Sequence, residues 1–114
     1  MVLRELYFTN EFVEFYNELP EKVKMKFDYT MDIVRTEYIL HTKFIKHLNH
    51  SELYEMRVSM NTNEYRTILF AVDNRNIILS TRIILLNVFI KKSTKDYNKQ
   101  IKLAKLILKG FGYE

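Results

Sequence analysis

Two periodicities divide the chain. In its first part apolar side chains recur every three or four positions, and from Leu53 they alternate with polar ones. Leu3–Thr9, rich in Leu, Tyr and Phe, reads as a short opening strand. Asn10 is placed to cap the helix that follows, with Glu11 in its first turn complementing the dipole. Phe12, Phe15, Tyr16 and Leu19 share one face, which predicts an amphipathic helix over Glu11–Leu19. Pro20 breaks that helix and suits the first position of a second one. There Val23, Phe27, Met31, Val34 and Tyr38 form one apolar stripe, predicting a helix to about His41. Two such helices joined at a proline make a hairpin whose apolar faces need a surface to cover.

From Leu53 the pattern is that of strands. Tyr54, Met56, Val58 and Met60 alternate with Glu55, Arg57 and Ser59, as in a half-buried strand. Asn61–Asn63 is turn chemistry, and Tyr65–Val72 is a second strand, apolar on both faces apart from Arg66 and Thr67. The turn Asp73-Asn74-Arg75-Asn76 precedes a long β-rich run, Ile77–Ile90. Asn98–Lys109 closes the chain as a helix, lysines outward, with Gly110 as its stop. The order β-α-α-β-β-β-α predicts an α+β fold, a largely antiparallel twisted sheet packed against the N-terminal helical hairpin and the C-terminal helix.

The length of 114 residues predicts one domain spanning 1–114, large enough for a core of its own. Without cysteine there is no thiolate metal site, disulfide or cysteine nucleophile. No apolar run approaches a membrane span and Met1–Asn10 lacks a signal-peptide core, so a cytoplasmic location is expected. Charge is unevenly spread. Residues 1–53 carry seven Lys/Arg against nine acids, whereas residues 54–114 carry eleven against five. The second half therefore attracts polyanions.

Three basic features stand out there. Arg57 lies mid-strand and Arg66 in the next strand; a loop of two or four residues would put them on one face, and a loop of three on opposite faces. Lys91-Lys92 ends the long strand, and Lys95 and Lys99 follow. Together they can embrace a phosphate; alternatively, Arg57 pairs with Glu55 and the lysines decorate a solvated loop. Which of Lys91 and Lys92 faces the arginines depends on strand register. His41, His47 and His50 have no acid or cysteine at metal-ligand spacing and read as surface or packing residues. Tyr54, Tyr65 and Tyr97 flank the basic positions and can stack on bases, or pack in the core. Nothing calls for a cofactor or a metal.

Taken together, Leu53-Tyr54-Glu55-Met56-Arg57, Glu64-Tyr65-Arg66 and Val88-Phe89-Ile90-Lys91-Lys92-Ser93-Thr94-Lys95 resemble a known series. It is that of HigB-like toxins in the RelE/ParE superfamily, and Leu19-Pro20-Glu21-Lys22 and Ala104 also fit. The resemblance implies a RelE-like fold and a bacterial toxin that cleaves messenger RNA in the ribosomal A site without a metal. It also implies a cognate antitoxin, of the helix-turn-helix, HigA-like kind. The residues offer a compatible mechanism: Arg57 and Arg66 as an electrostatic clamp, Lys91 or Lys92 as base or acid, and Tyr97 stacking on a base or passing a proton. Tyr65, Lys95 and Lys99 would contact RNA. With no histidine or carboxylate pair near these positions, the free protein would be a poor nuclease that needs the ribosome to position its substrate. The other readings are a ParE-like topoisomerase inhibitor and an inactive nucleic-acid-binding relative.

Overall fold

A computed structural model describes residues 1–113. Its elements are β1 (Glu5–Phe8), α1 (Asn10–Asn17), α2 (Glu21–Thr36), β2 (Ile45–His47), β3 (Leu53–Met60), β4 (Asn63–Ala71), β5 (Arg82–Ile90) and α3 (Thr94–Gly110). The five strands form one sheet in the order β1-β5-β4-β3-β2, with β1 parallel to β5 and every other pair antiparallel. The α1–α2 hairpin covers one face, burying Phe12, Phe27 and Val34 against Met56, Leu69 and Leu85. Helix α3 covers the other, where Ala104 and Leu108 meet Leu53, Ile68 and Leu86. The predicted α+β architecture is present, with one strand more than the alternation indicated.

That strand, β2, has three residues, of which only Ile45 is buried, too few to show a period. Other boundaries moved for local reasons. Thr9, not Asn10, caps α1, its hydroxyl accepting from the Phe12 amide at 3.1 Å. Helix α2 stops at Thr36 rather than near His41, and Tyr38 lies outside it, exposed. The cause is Arg4, whose guanidinium is 1% exposed and donates to five carbonyls. Those of Val34 (2.9 Å), Glu37 (2.7 Å) and Tyr38 (3.0 Å) end α2, and those of Ile77 (3.0 Å) and Ile78 (2.8 Å) belong to the turn before β5. A cation at a helix C-terminus satisfies orphan carbonyls and complements the dipole.

Strand β5 starts at Arg82, not Ile77, because Asp73 organises residues 77–81 into a turn. Its carboxylate accepts from the hydroxyls of Ser80 (2.5 Å) and Thr81 (2.5 Å) and from the amides of Thr81 (2.9 Å) and Arg82 (3.2 Å). Those bonds, from Ser80 and then Thr81 above all, hold the Asp73 carboxyl well below the usual carboxylate range. Helix α3 begins four residues earlier than its apolar pattern, because Ser93 caps it by accepting from the Asp96 amide at 3.1 Å.

Two register details set the faces. Met60 pairs with Asn63, so the β3–β4 loop is Asn61-Thr62 alone, with Asn61 in the left-handed region (φ 56). Between the pairs Thr67–Val88 and Leu69–Leu85, β4 supplies Ile68 while β5 supplies Leu86 and Asn87. This bulge shifts the alternation of β5 by one, so Leu86 and Phe89 both join the α3-side core and Val88 the hairpin side. The Asn87 amide donates to the carbonyl and side chain of Gln100 in α3, at 3.1 and 3.0 Å.

Two stability predictions follow from these contacts. Arg4→Met should keep the aliphatic stem but strip five carbonyls of their donor, lowering the stability seen in urea unfolding by about 3 kcal/mol. A loss below about 0.5 kcal/mol would mean that water replaces the guanidinium. Asp73→Asn should be destabilised at neutral pH, and its deficit should shrink as pH falls through the ordinary aspartate value of 3.8. The sign follows because a depressed folded-state value stabilises only while the carboxyl is ionised. A deficit equal at pH 3 and pH 7 would contradict it.

Candidate functional site

The two-residue β3–β4 loop makes Arg57 and Arg66 direct cross-strand partners, on the face that α3 covers. Two guanidiniums so placed repel each other unless a counter-charge lies between them. Glu55 supplies it. Two residues before Arg57, it projects from the same face and is 2% exposed. Its Oε2 accepts from Arg57 Nε at 2.7 Å and lies 3.6 Å from Arg66 Nε. Arg66, 6% exposed, also donates through Nη1 to the Tyr65 carbonyl at 3.1 Å. Its Nη1 and Nη2 reach Glu64 Oε1, each at 3.3 Å. Its buried Nε has no hydrogen-bond partner. Ser59 holds Glu64 with a 2.7 Å hydrogen bond, and that bond, followed by Arg66, keeps the Glu64 carboxyl below its ordinary value.

Tyr97, in the first turn of α3, closes the arrangement from above. Its hydroxyl donates to Glu55 Oε1, and its ring sits edge-on to Phe89 at 5.7 Å. Burial, then the Glu55 bond, pushes the Tyr97 phenol far above its ordinary value, so it stays protonated. Beside this cluster lies an open groove of about 370 Å³. Glu55 and Arg57 line it, the β2 side brings Lys46, His47 and Asn49, and the far side brings Lys91, Lys92, Thr94 and Tyr97.

The structure thus brings Arg57, Arg66, Lys91, Lys92 and Tyr97 around one place. Both lysines border the groove, so register does not select between them; the β5 bulge carries the strand end to it, and the Lys91 amide continues the ladder by donating to the Glu64 carbonyl at 2.7 Å. Lys95 and Lys99 are exposed on α3 and do not line the groove. Tyr65 is a correction. It is 4% exposed, with its ring 5.5 Å from Phe27 and 6.4 Å from Phe15, inside the hairpin-side core. Adjacent strand residues point to opposite faces, so its place beside Arg66 in sequence buries it away from any RNA.

Sequence reading missed Lys46, and it expected no histidine near these positions although His47 lines the groove. Glu55, offered there only as a pairing partner for Arg57, puts a carboxylate at the centre of the cluster. Its neighbours Arg57 and Glu64-Tyr65-Arg66 were visible, but its burial depends on α3. Lys46 pairs in register with Glu55 across β2–β3, and so adds a cation on the same face. The His47 ring sits 5.0 Å from Tyr54, its own strand partner, and its Nε2 bonds the Ser51 carbonyl at 2.8 Å. Among the described residues no three His, Cys, Asp or Glu side chains are grouped to hold a metal ion, and no helix is long and apolar enough to cross a membrane. Chemically, the groove presents paired guanidiniums, exposed ammonium groups and one protonated phenol, a donor set for a phosphate and for charge developing on it.

Solved structures with this fold include those of the Escherichia coli toxin RelE. A double-arginine mutant of RelE in the free state superposes with a TM-score of 0.60 at 14% identity, covering 90% of this chain and 97% of that one. RelE in the intact E. coli RelBE toxin–antitoxin complex gives 0.56 at 10% identity, covering 79% and 99%. The isolated E. coli RelE toxin gives 0.55 at 11% identity, covering 87% and 96%. No curated protein matches the chain in sequence. Residues 14–109, from within α1 to the end of α3, match the family described as Phage derived protein Gp49-like (DUF891). The chain belongs to that Gp49-like, phage-derived protein family.

Proposed function

We propose that the chain is the toxin of a type II toxin–antitoxin pair, HigB-like in kind, and that it cuts messenger RNA during translation. The observation that carries the reading is the groove of Lys46, Arg57, Lys91 and Lys92. Beside it lies the buried Arg66, and Glu55 is the one carboxylate lining the groove among the described residues. So many cations around one concavity fit a polyanion better than they fit a protein surface at rest. The RelE-like fold supports the same class, and the RelBE complex supports a cognate antitoxin, which the HigB-like motifs make helix-turn-helix and HigA-like. The site of action is the cytoplasm, where ribosomes and transcripts are.

In this reading the 2′-hydroxyl of the RNA attacks its own 3′-phosphate. Arg57 and Arg66 clamp the phosphate oxygens and stabilise the charge that builds on them, a role worth roughly 10²–10³ in rate for one well-placed donor. Lys91 or Lys92 protonates the departing 5′-oxygen. The groove is open, so the ribosome supplies the alignment of the strand.

Induced expression with transcript-end mapping tests the proposal. The intact chain should arrest growth and leave new ends at in-frame codon positions. Arg57→Ala combined with Lys92→Ala should abolish both at equal soluble protein level. Arrest with intact transcripts and a DNA-damage response would instead mark a ParE-like topoisomerase inhibitor. Salt-sensitive RNA binding without arrest would mark an inactive relative.

A further inference from the structure

The sheet has two edges, and they are built differently. The β2 edge lies beside the basic groove and carries Lys46 and His47, both exposed. A lysine on a short edge strand guards it against pairing with another chain. The β1 edge has no such guard. Its residues Glu5-Leu6-Tyr7-Phe8 include no lysine or proline, and their register with β5 is regular, without a bulge.

The main chain of β1 is only half used. In the parallel ladder with β5, the Glu5 amide donates to the Thr81 carbonyl at 2.8 Å and the Thr9 amide to that of Leu85 at 3.3 Å. Glu5, Tyr7 and Thr9 therefore face β5, and the alternate residues Leu6 and Phe8 turn their amides and carbonyls outward. No turn or cap among the described residues bonds those groups. The side chains beside this edge are apolar and open. Tyr7 is 43% exposed, Phe8 42% and Phe111 56%, and they border one groove of about 400 Å³ with Val72 and Ile84. The Phe8 ring is braced 5.3 Å from that of Phe12.

We propose that a second copy of the chain docks on this edge, β1 pairing antiparallel with its own copy about a two-fold axis to make one continuous sheet. The inference concerns assembly and stands apart from whether the chain cuts RNA. Such pairing is isologous, because the same patch serves both sides. Setting Leu6 of each copy opposite Phe8 of the other uses every outward amide and carbonyl. That register brings Tyr7 against its own copy at the axis, on the α3 face, and puts Leu6 beside Phe8 on the hairpin face. Glu5 comes opposite Thr9 and has Arg82 as its neighbour in β5, so no like charges are opposed.

A second copy fits the edge better than a loose peptide does. Its strand is already ordered by β5, whereas a peptide would lose its freedom for the same few bonds. It also brings an aromatic patch of its own. Aromatic side chains bury about 150–250 Å² each, so the exposed parts of Tyr7, Phe8 and Phe111 from both copies supply roughly 600 Å². With the paired strand backbone the total approaches about 1,000 Å², the size of a specific but reversible interface. Both basic grooves stay open in the dimer, because they lie at the β2 side of the sheet, beyond β5, β4 and β3.

Sedimentation velocity on the full chain, from about 1 to 300 µM, provides the test. The mass should rise from 13.9 kDa toward twice that value as concentration increases. Tyr7→Lys puts two ammonium groups face to face at the axis. It should weaken the dimer by roughly 30-fold or more, with urea unfolding unchanged. Should that variant fail to fold, Phe111→Ser, at an exposed site outside the strands, should weaken it by roughly 10-fold. Hydrogen exchange identifies the edge: the Leu6 and Phe8 amides should exchange slowly at high concentration and fast at low. A chain that stays monomeric throughout overturns the proposal and leaves the edge to another partner. So does a dimer that the folded variants leave intact, or one in which the Leu6 and Phe8 amides stay unprotected.

Discussion

A carboxylate between two arginines is the condition on which the α3-side face rests. Arg57 and Arg66 are locked opposite each other by a loop of only two residues, and neither strand can slip without turning its whole apolar set outward. Glu55 makes that register tolerable. It does so at low exposure, where one unmatched charge costs several kcal/mol and a matched one little. The pairing is not a general stabiliser in the way an apolar side chain would be; its worth lies in holding two forks in one orientation. Tyr97 extends the arrangement to α3, so the helix and the sheet are joined through the same carboxylate that orders the arginines.

The fold was largely readable because its signals are local. Helical and strand periods, Pro20 and the Asn-rich turn each act within a few residues, and they suffice to predict a helical hairpin, an antiparallel sheet and a closing helix. What escaped depends on distance. Helix α2 ends where Arg4, thirty residues earlier, gathers its carbonyls. Strand β5 waits for Asp73 to tie down the turn ahead of it. Strand β2 is strand only by virtue of β3 beside it.

The site divides along the same line. Arg57, Arg66 and the lysine pair were visible as clustered charge, and the facing of the arginines followed once the loop length was known. Glu55 was read as the polar side of a half-buried strand, which is right for its direction and wrong for its surroundings, since α3 closes over it. Tyr65 was misjudged for the converse reason: proximity to Arg66 in sequence guarantees, in a strand, that the two face apart. The bulge at Leu86-Asn87 leaves no mark in composition, yet it decides that Phe89 supports Tyr97 and that the strand end arrives beside the groove.

The bonds of Arg4 bear on how the protein is born. The first strand of the chain is parallel to the last one, and its arginine anchors carbonyls at residues 77 and 78 as well as those of α2. Strand β5 and the carbonyls at 77 and 78 do not exist until residues 77–90 have been made. Lys91 and Lys92 of the groove come later still, just before α3. Vectorial synthesis therefore delivers helices and hairpins long before it can deliver a closed molecule, and the long loop between β1 and β5 makes closure slow once it is possible. The nascent chain is an unarmed one: the basic groove cannot assemble before Lys91, Lys92 and the start of α3 have been made.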